Sequence, residues 1–180
     1  MRSRTVRLRS RVPSLPPQLW WPAALLALAL AAFFPTYFGL FPGFPGTSVA
    51  VHFHVATMLA WLLLGISQPL LIRRRQIALH RSLGRVVYLL LPLIALGFWG
   101  IVRDGQLRQK EPELILATAF DGGLFLLLAG LGVWHRKRRE LHGPFMLLSL
   151  LPFLNPTLGR LIAPGAGVPG VAETLHHWLV

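Results

Sequence analysis

The sequence predicts an all-α protein, a polytopic bundle of transmembrane helices with five full spans and the start of a partial sixth. Three observations lead to this fold class. Hydrophobic residues make up 54% of the 180 positions and charged residues only 13%, which is typical of membrane proteins. Apolar runs long enough to cross a bilayer recur along the chain. Short basic clusters separate these runs, as in cytoplasmic loops.

The charge and the residues that are missing narrow the function. A formal net charge of +12 would suggest nucleic-acid binding in a soluble protein. Here the basic residues stand beside apolar runs, so we expect the lipid bilayer as partner and no nucleic acid. The chain has no cysteine, which excludes disulfides and thiolate metal sites. Phosphate-binding and hydrolase motifs are absent as well. Whether the protein is an enzyme is therefore uncertain, and this absence favours a non-enzymatic role.

The first 18 residues form a basic tail, which we assign to the cytoplasm, and the first span follows at residues 19–41. Trp20 and Trp21 open this span, as aromatic residues do at a membrane interface. The apolar run continues past the roughly 7–15 residues of a signal-peptide core. We therefore expect an uncleaved first helix.

Four further spans are predicted at residues 49–72, 83–102, 114–134 and 144–163. Two basic turns, residues 73–85 and 135–142, join spans on one side of the membrane. The polar loop 103–113, balanced in charge, lies on the other side. Residues 19–163 thus form the bundle, and residues 164–180 form an outer turn and the start of a partial or interfacial helix.

The basic residues also predict the orientation. Fourteen of the 18 lysines and arginines fall in the tail and in the two basic turns. By the positive-inside rule, these segments lie in the cytoplasm. We expect a protein of the bacterial inner membrane with a cytoplasmic N-terminus, and the pattern leaves open a homo-oligomer or a membrane partner subunit.

Polar residues within the spans are candidates for function. Asp121 lies about 12 Å inside the fourth span, where a charge needs a partner. Asn155 has a similar depth, and His54 and Arg160 belong to the same half of the bundle. We expect these four to form an intramembrane polar cluster. The cluster could carry a function, or its hydrogen bonds could serve only to fix helix packing. One helical stripe should carry His54 into the interior; its other members are Met58, Trp61, Gly65 and Gln68.

The histidines suggest a cofactor. His80 and His142 stand at matched depth at the cytoplasmic ends of two spans, where they are candidate axial ligands of one haem iron. His54 with His176 or His177 would form a second pair near the other surface. The alternative is that His80 and His142 bind lipid phosphates with the neighbouring arginines. A zinc site is not indicated, because no H-E-x-x-H spacing is present.

Two segments carry a family resemblance. H-F-H-V-A-T-M-L-A-W, residues 52–61, with the later L-H-R-S-L-G-R, resembles a family of uncharacterised bacterial multi-pass integral membrane proteins. The segment W-H-R-K-R-R-E-L-H-G-P-F-M-L-L resembles its second half, although Gly143–Phe145 intervene here before Met146. The resemblance covers about residues 50–162 and implies the architecture only. A more distant similarity, in helix count and histidines, is to di-haem transmembrane cytochromes b.

Three functions remain open at this point. The first is transmembrane electron transfer by haem b, the one cofactor that the histidines suggest. The second is a proton-linked transporter or permease subunit built on Asp121. The third is a structural or assembly protein of the membrane, in which the polar residues serve packing alone.

Overall fold

The computed structural model describes residues 17–162, and every regular element in that range is helical. Two 3₁₀ turns, Phe38–Leu40 and Leu151–Phe153, accompany the α-helices. Two predicted segments lie outside the described residues. One is the basic tail, apart from residues 17 and 18, and the other is the outer turn with the partial helix that carries His176 and His177. The helices are α1 (Pro17–Phe33), α2 (Val49–Arg73), α3 (Ile77–Gly84), α4 (Val87–Leu107), α5 (Pro112–Trp134), α6 (Arg139–Leu148) and α7 (Leu154–Ile162).

Four helical segments in the described residues are long and apolar enough to cross a membrane. Two of them are α2 and α5. The other two are composite, since α3 continues into α4 and α6 continues through the second 3₁₀ turn into α7. These four segments correspond to the second, third, fourth and fifth predicted spans. The all-helical fold class is therefore confirmed, together with four of its candidate spans.

The first predicted span is shorter than the sequence suggested. Helix α1 has 17 residues, about 25 Å at about 1.5 Å per residue, whereas a full crossing takes about 20 residues. It ends at Phe33 because Pro35 disfavours helical backbone at the residue before it. The run from Phe34 to Phe41 is apolar but mostly turn. The count of five spans is not confirmed.

The third span extends further than predicted. Helix α4 continues to Leu107, through positions that we had assigned to the polar loop. Asp104 and Arg108 form a salt bridge of 3.1 Å one turn apart at its end. The helix stops where Gln109 takes a positive φ of 50°. Polar residues therefore form the last turn of the helix, and the loop to α5 is short.

The helices pack as a closed ring. Helix α1 contacts α2 and α7, α2 contacts α4, α4 contacts α5, and α5 contacts α6 and the second 3₁₀ turn. The core inside this ring is apolar and aromatic. The predicted stripe on α2 faces this interior, where Met58 and Trp61 are buried. Fully enclosed core residues include Leu25, Leu62, Ile94, Phe125 and Leu150.

A hydrogen bond crosses the core. The indole Nε1 of Trp61 donates to Ser149 Oγ over 3.2 Å, and Ser149 Oγ donates in turn to the carbonyl of Met146 over 2.7 Å. Both Trp61 and Ser149 are buried. The hydroxyl thus accepts and donates in the dry interior, where an unpaired polar group is costly.

Ser149 also marks the break in the last composite span. Helix α6 ends at Leu148, and the 3₁₀ turn Leu151–Phe153 separates it from α7. Pro152 in that turn has no N–H to continue the α-helical ladder. The bond from Trp61 therefore holds the chain where the helix is interrupted.

We predict that Ser149→Ala destabilises the protein by about 1–3 kcal/mol, because it leaves the buried Trp61 Nε1 without an acceptor. Ser67→Ala is the matched control, since Ser67 Oγ bonds only to the carbonyl of Leu64 in its own helix, and we expect it to change stability by less than about 0.5 kcal/mol. Reversible unfolding in mixed micelles, followed by circular dichroism, measures both. Equal stability of the two variants would contradict a structural role for the cross-core bond.

Candidate functional site

The polar residues of the described chain gather at the two ends of the bundle. One end carries residues 74–76 and 135–138, the non-helical parts of the two predicted basic turns, and is called the arginine-rich end below. The opposite end holds the start of α2, the end of α4, the start of α5 and the end of α7. The buried core described above separates the two ends.

The structure places His80 and His142 at the arginine-rich end, on different helices. His80 lies in α3 and His142 in α6. Sequence reasoning had matched these two histidines by depth alone, and both helices begin at this end of the bundle.

The two imidazoles are held differently. His142 Nδ1 lies 2.7 Å from the carbonyl oxygen of Gly132, so this nitrogen carries the proton and donates it. That arrangement leaves the Nε2 lone pair free, as in histidines that bind metals. His80 Nδ1 is buried and has no hydrogen-bond partner within residues 17–162.

Gln68 belongs to the same end, a connection that sequence reasoning missed. Its amide faces α3, and a methyl group built on Gly84 would lie 3.8 Å from its Oε1. Gly84 is one turn beyond His80 on that helix. The Nε2 of Gln68, like the Nδ1 of His80, is buried without a partner in the described part of the chain. The sequence feature that could have placed Gln68 at this end is the stripe on α2, which runs from His54 to Gln68.

Two imidazoles at this end are the residues that could hold a haem group, which takes two ligands from the protein. No group of three or more metal-ligating side chains occurs within residues 17–162. His80 and His142 offer two imidazoles, one of them anchored to a backbone carbonyl. Arg81 and Arg85, both exposed, stand on the same side of the bundle and match the charge of haem propionates.

At the opposite end, the structure pairs two members of the predicted polar cluster. Asn155 Nδ2 donates to Asp121 Oδ2 over 3.0 Å, joining α7 to α5. Asn155 is exposed on the surface of the bundle and Asp121 is partly buried. An amide is a good partner for a carboxyl group at this depth, because hydrocarbon offers it no hydrogen bond.

Arg160 does not reach Asp121 in this structure. Its guanidinium lies 4.2 Å from the ring centre of Phe33, and its Nη1 donates to the carbonyl of Pro156. Its Nε is buried without a partner among residues 17–162. The one salt bridge in those residues joins Arg108 to Asp104. The long side chain of Arg160 thus satisfies its charge by a cation–π contact with α1.

His54 lies inside the bundle, apart from the Asp121–Asn155 pair. Its ring meets the ring of Phe98 edge to face at 4.8 Å. Phe98 also packs against Gly122, where an added Cβ would lie 2.7 Å from the Phe98 ring. Phe98 therefore stands between His54 and the helix segment that carries Asp121, and the predicted cluster of four is divided into three separate positions.

His52 contacts the turn that precedes its own helix. Its Nδ1 is 2.8 Å from the hydroxyl of Tyr37, a residue in the turn after α1. Burial raises the pKa of the Tyr37 phenol above its ordinary value, so the phenol stays neutral and able to donate. This bond ties the turn between α1 and α2 to the start of α2.

Comparisons with known proteins add no relative. No protein-family model, no curated protein and no solved structure matches the chain. The conclusions that follow therefore depend on the residues and their geometry alone.

Proposed function

We propose that this chain is a bacterial inner-membrane protein that binds haem b between His80 and His142 and moves electrons within the membrane. The observation that supports the proposal is that α3 and α6 place His80 and His142 at the same, arginine-rich end, with the ring of His142 anchored on the carbonyl of Gly132. Bound haem would supply one-electron redox chemistry.

The chain's own residues have defined tasks in this proposal. Gly132 fixes the ring of His142 through its carbonyl and so directs Nε2 toward the ligand. His80 would supply the second imidazole. Its Nδ1 is buried and has no partner in the described residues, so a partner for it would come with the bound ligand. The adjacent arginines neutralise the acidic groups of the ligand.

We predict that protein purified from haem-replete cells shows a Soret band, and that His80→Ala and His142→Ala each reduce it to background. Loss of either axial ligand removes half of the protein's hold on the iron. Absorption spectra of the oxidised and reduced protein provide the measurement.

His135→Ala is the control for that experiment. His135 lies at the same end but stacks on Phe145 and is not placed at the site. We expect its Soret band to equal that of the unaltered protein. A colourless preparation of the unaltered, folded protein would refute haem binding, as would a band that survives in both site variants.

The pair Asp121–Asn155 supports a second candidate function, a proton-linked transporter or permease subunit. A carboxyl group in a membrane span can carry a proton, and it is a functional candidate by default. The 3.0 Å bond from Asn155 shows that this carboxyl has a specific partner on another helix. Movement between α5 and α7 would therefore change the environment of the proton.

We predict for this second candidate that Asp121→Asn fails to complement a deletion strain across a range of external pH values, because the amide cannot take up and release a proton. Growth of the complemented strains is the measurement. Glu113→Gln, on an exposed first-turn residue of the same helix, is the control and should complement fully. Full complementation by Asp121→Asn would remove proton coupling from consideration.

We also propose that α1 crosses the membrane, which gives five spans with the N-terminus in the cytoplasm. The support is its contact with both α2 and α7, which makes it one wall of the ring, together with the arginines before it. A bilayer can thin locally around a helix that is slightly short.

The absence of cysteine allows a clean test of this topology, since one introduced thiol is the only one. We predict that Thr47→Cys reacts with a membrane-impermeant maleimide in intact spheroplasts, whereas Ser10→Cys and Lys137→Cys react only after permeabilisation. Gel-shift labelling is the measurement. Reaction of Ser10→Cys together with Thr47→Cys would place both ends of α1 on one side and leave four spans.

A further inference from the structure

We infer that the end of the bundle opposite the arginines contains a binding site for a single aromatic ring bearing a hydroxyl group. The site is a partly open cavity of about 100 Å³, lined by α1, the turn after it, α2, α4, α5 and the segment from the second 3₁₀ turn into α7. It lies far from His80 and His142 in the fold and is independent of haem binding.

The walls of the cavity are aromatic and apolar. Among the residues that line it are Phe33, Phe38, Phe98, Phe125 and Phe153. Aromatic rings favour edge-to-face contact with another ring. Cavities of about 150 Å³ with such walls take up benzene; this cavity is smaller and partly open, so a single six-membered ring is the largest ligand that it can hold. Flexible Met58, also in the wall, can adapt to its outline.

Thr157 supplies the polar contact. It lines the cavity, its side chain is 1% exposed, and its Oγ1 has no hydrogen-bond partner within residues 17–162. Four other serine and threonine hydroxyls in or at the end of helices behave differently, since each donates to a carbonyl three or four residues earlier; they are Thr57, Ser67, Thr118 and Ser149. The hydroxyl of Thr157 is thus left to a ligand, and rotation about its Cα–Cβ bond turns it to the cavity.

His54 and Tyr37 are the other polar residues in the wall, and the hydroxyl of Tyr37 is already paired with His52. The ring of His54 has one nitrogen to offer. A methyl group built on Gly97 would lie 3.5 Å from its Nδ1, so that nitrogen is packed against α4 and only Nε2 remains for a ligand. A phenolic hydroxyl both donates and accepts, and so it suits a neutral imidazole and an alcohol together. A carboxylate does not suit the cavity, because it would need a cation as its partner. The nearby guanidinium of Arg160 is stacked on the face of Phe33 instead.

The cavity also has a route to the lipid. Leu30 lines it and is 41% exposed on the surface of α1. A ring dissolved in the bilayer can therefore enter from the side. A small free phenol and the ring of a membrane quinol share the chemistry that the cavity recognises.

The test uses 4-fluorophenol and 4-fluorotoluene, which differ only by a hydroxyl in place of a methyl group. Binding to the full chain in lipid nanodiscs is followed by ¹⁹F NMR, with empty nanodiscs to subtract partition into lipid. We expect tighter binding of the phenol. Ala29→Leu, which fills the cavity, should abolish binding of both probes.

Thr157→Val removes the hydroxyl and keeps the shape of the side chain. We expect it to weaken 4-fluorophenol binding about fivefold, the effect of one hydrogen bond, and to leave 4-fluorotoluene unchanged. Its thermal stability should equal or exceed that of the unaltered protein, because it removes an unpaired buried hydroxyl. Thr118→Val, at an exposed hydroxyl that already bonds to Leu114, should leave both affinities unchanged.

Two results would overturn the inference: equal affinity for the two probes, or unchanged phenol affinity in Thr157→Val. Competition with a quinol that carries a ten-carbon tail identifies the source of the ring. Displacement of 4-fluorophenol assigns the site to a membrane quinol, and failure to displace it assigns the site to a free phenol. Each of these outcomes retains the ring-binding site.

Discussion

A polar side chain inside a bundle surrounded by hydrocarbon must find its hydrogen-bond partner within the protein, since lipid provides none. The bond from Trp61 to Ser149 is the clearest result of this constraint. It satisfies an indole and a hydroxyl in the middle of the core and fixes the place where the last composite span is interrupted. Helices α6 and α7 extend from this point toward opposite ends of the bundle and pack on α5 and α1.

The same constraint gives meaning to the polar atoms that remain unpartnered in the described chain. None of them lies at the level of the Trp61–Ser149 bond. Two, on Gln68 and His80, lie at the arginine-rich end, and three, on His54, Thr157 and Arg160, lie at the other. Buried groups of this kind are costly unless something bound satisfies them. Thr157 Oγ1, which lines the cavity, is the one that the geometry leaves to a ligand, whereas His54 Nδ1 is packed against α4. An apolar core lies between the two ends.

Much of this arrangement could be predicted from the sequence. The length and periodicity of the apolar runs predicted the helices. The 3.6-residue repeat also predicted correctly that the stripe containing Trp61 faces the interior. Depth along the helices suggested that Asp121 and Asn155 would meet, and the structure joins them. These predictions succeed because they depend on helix geometry, which the sequence specifies locally.

The remainder depended on tertiary packing. Arg160 has a long side chain that can reach several partners. The position of α1 determines that its guanidinium contacts the ring of Phe33. Hydroxyls such as those of Ser149 and Thr157 occur in any apolar helix, so nothing in their spacing distinguishes a core bond from an unpaired group. The stop of α1 before Pro35 was readable from proline chemistry, but the apolar run beyond it suggested a longer helix.

The central claim is that His80 and His142, at the arginine-rich end, bind a haem group. Native mass spectrometry of the full chain, released from nanodiscs made with haem-replete membranes, tests it most directly. The account predicts a non-covalent adduct of haem mass on the unaltered chain. A folded chain that carries lipid adducts alone would contradict it.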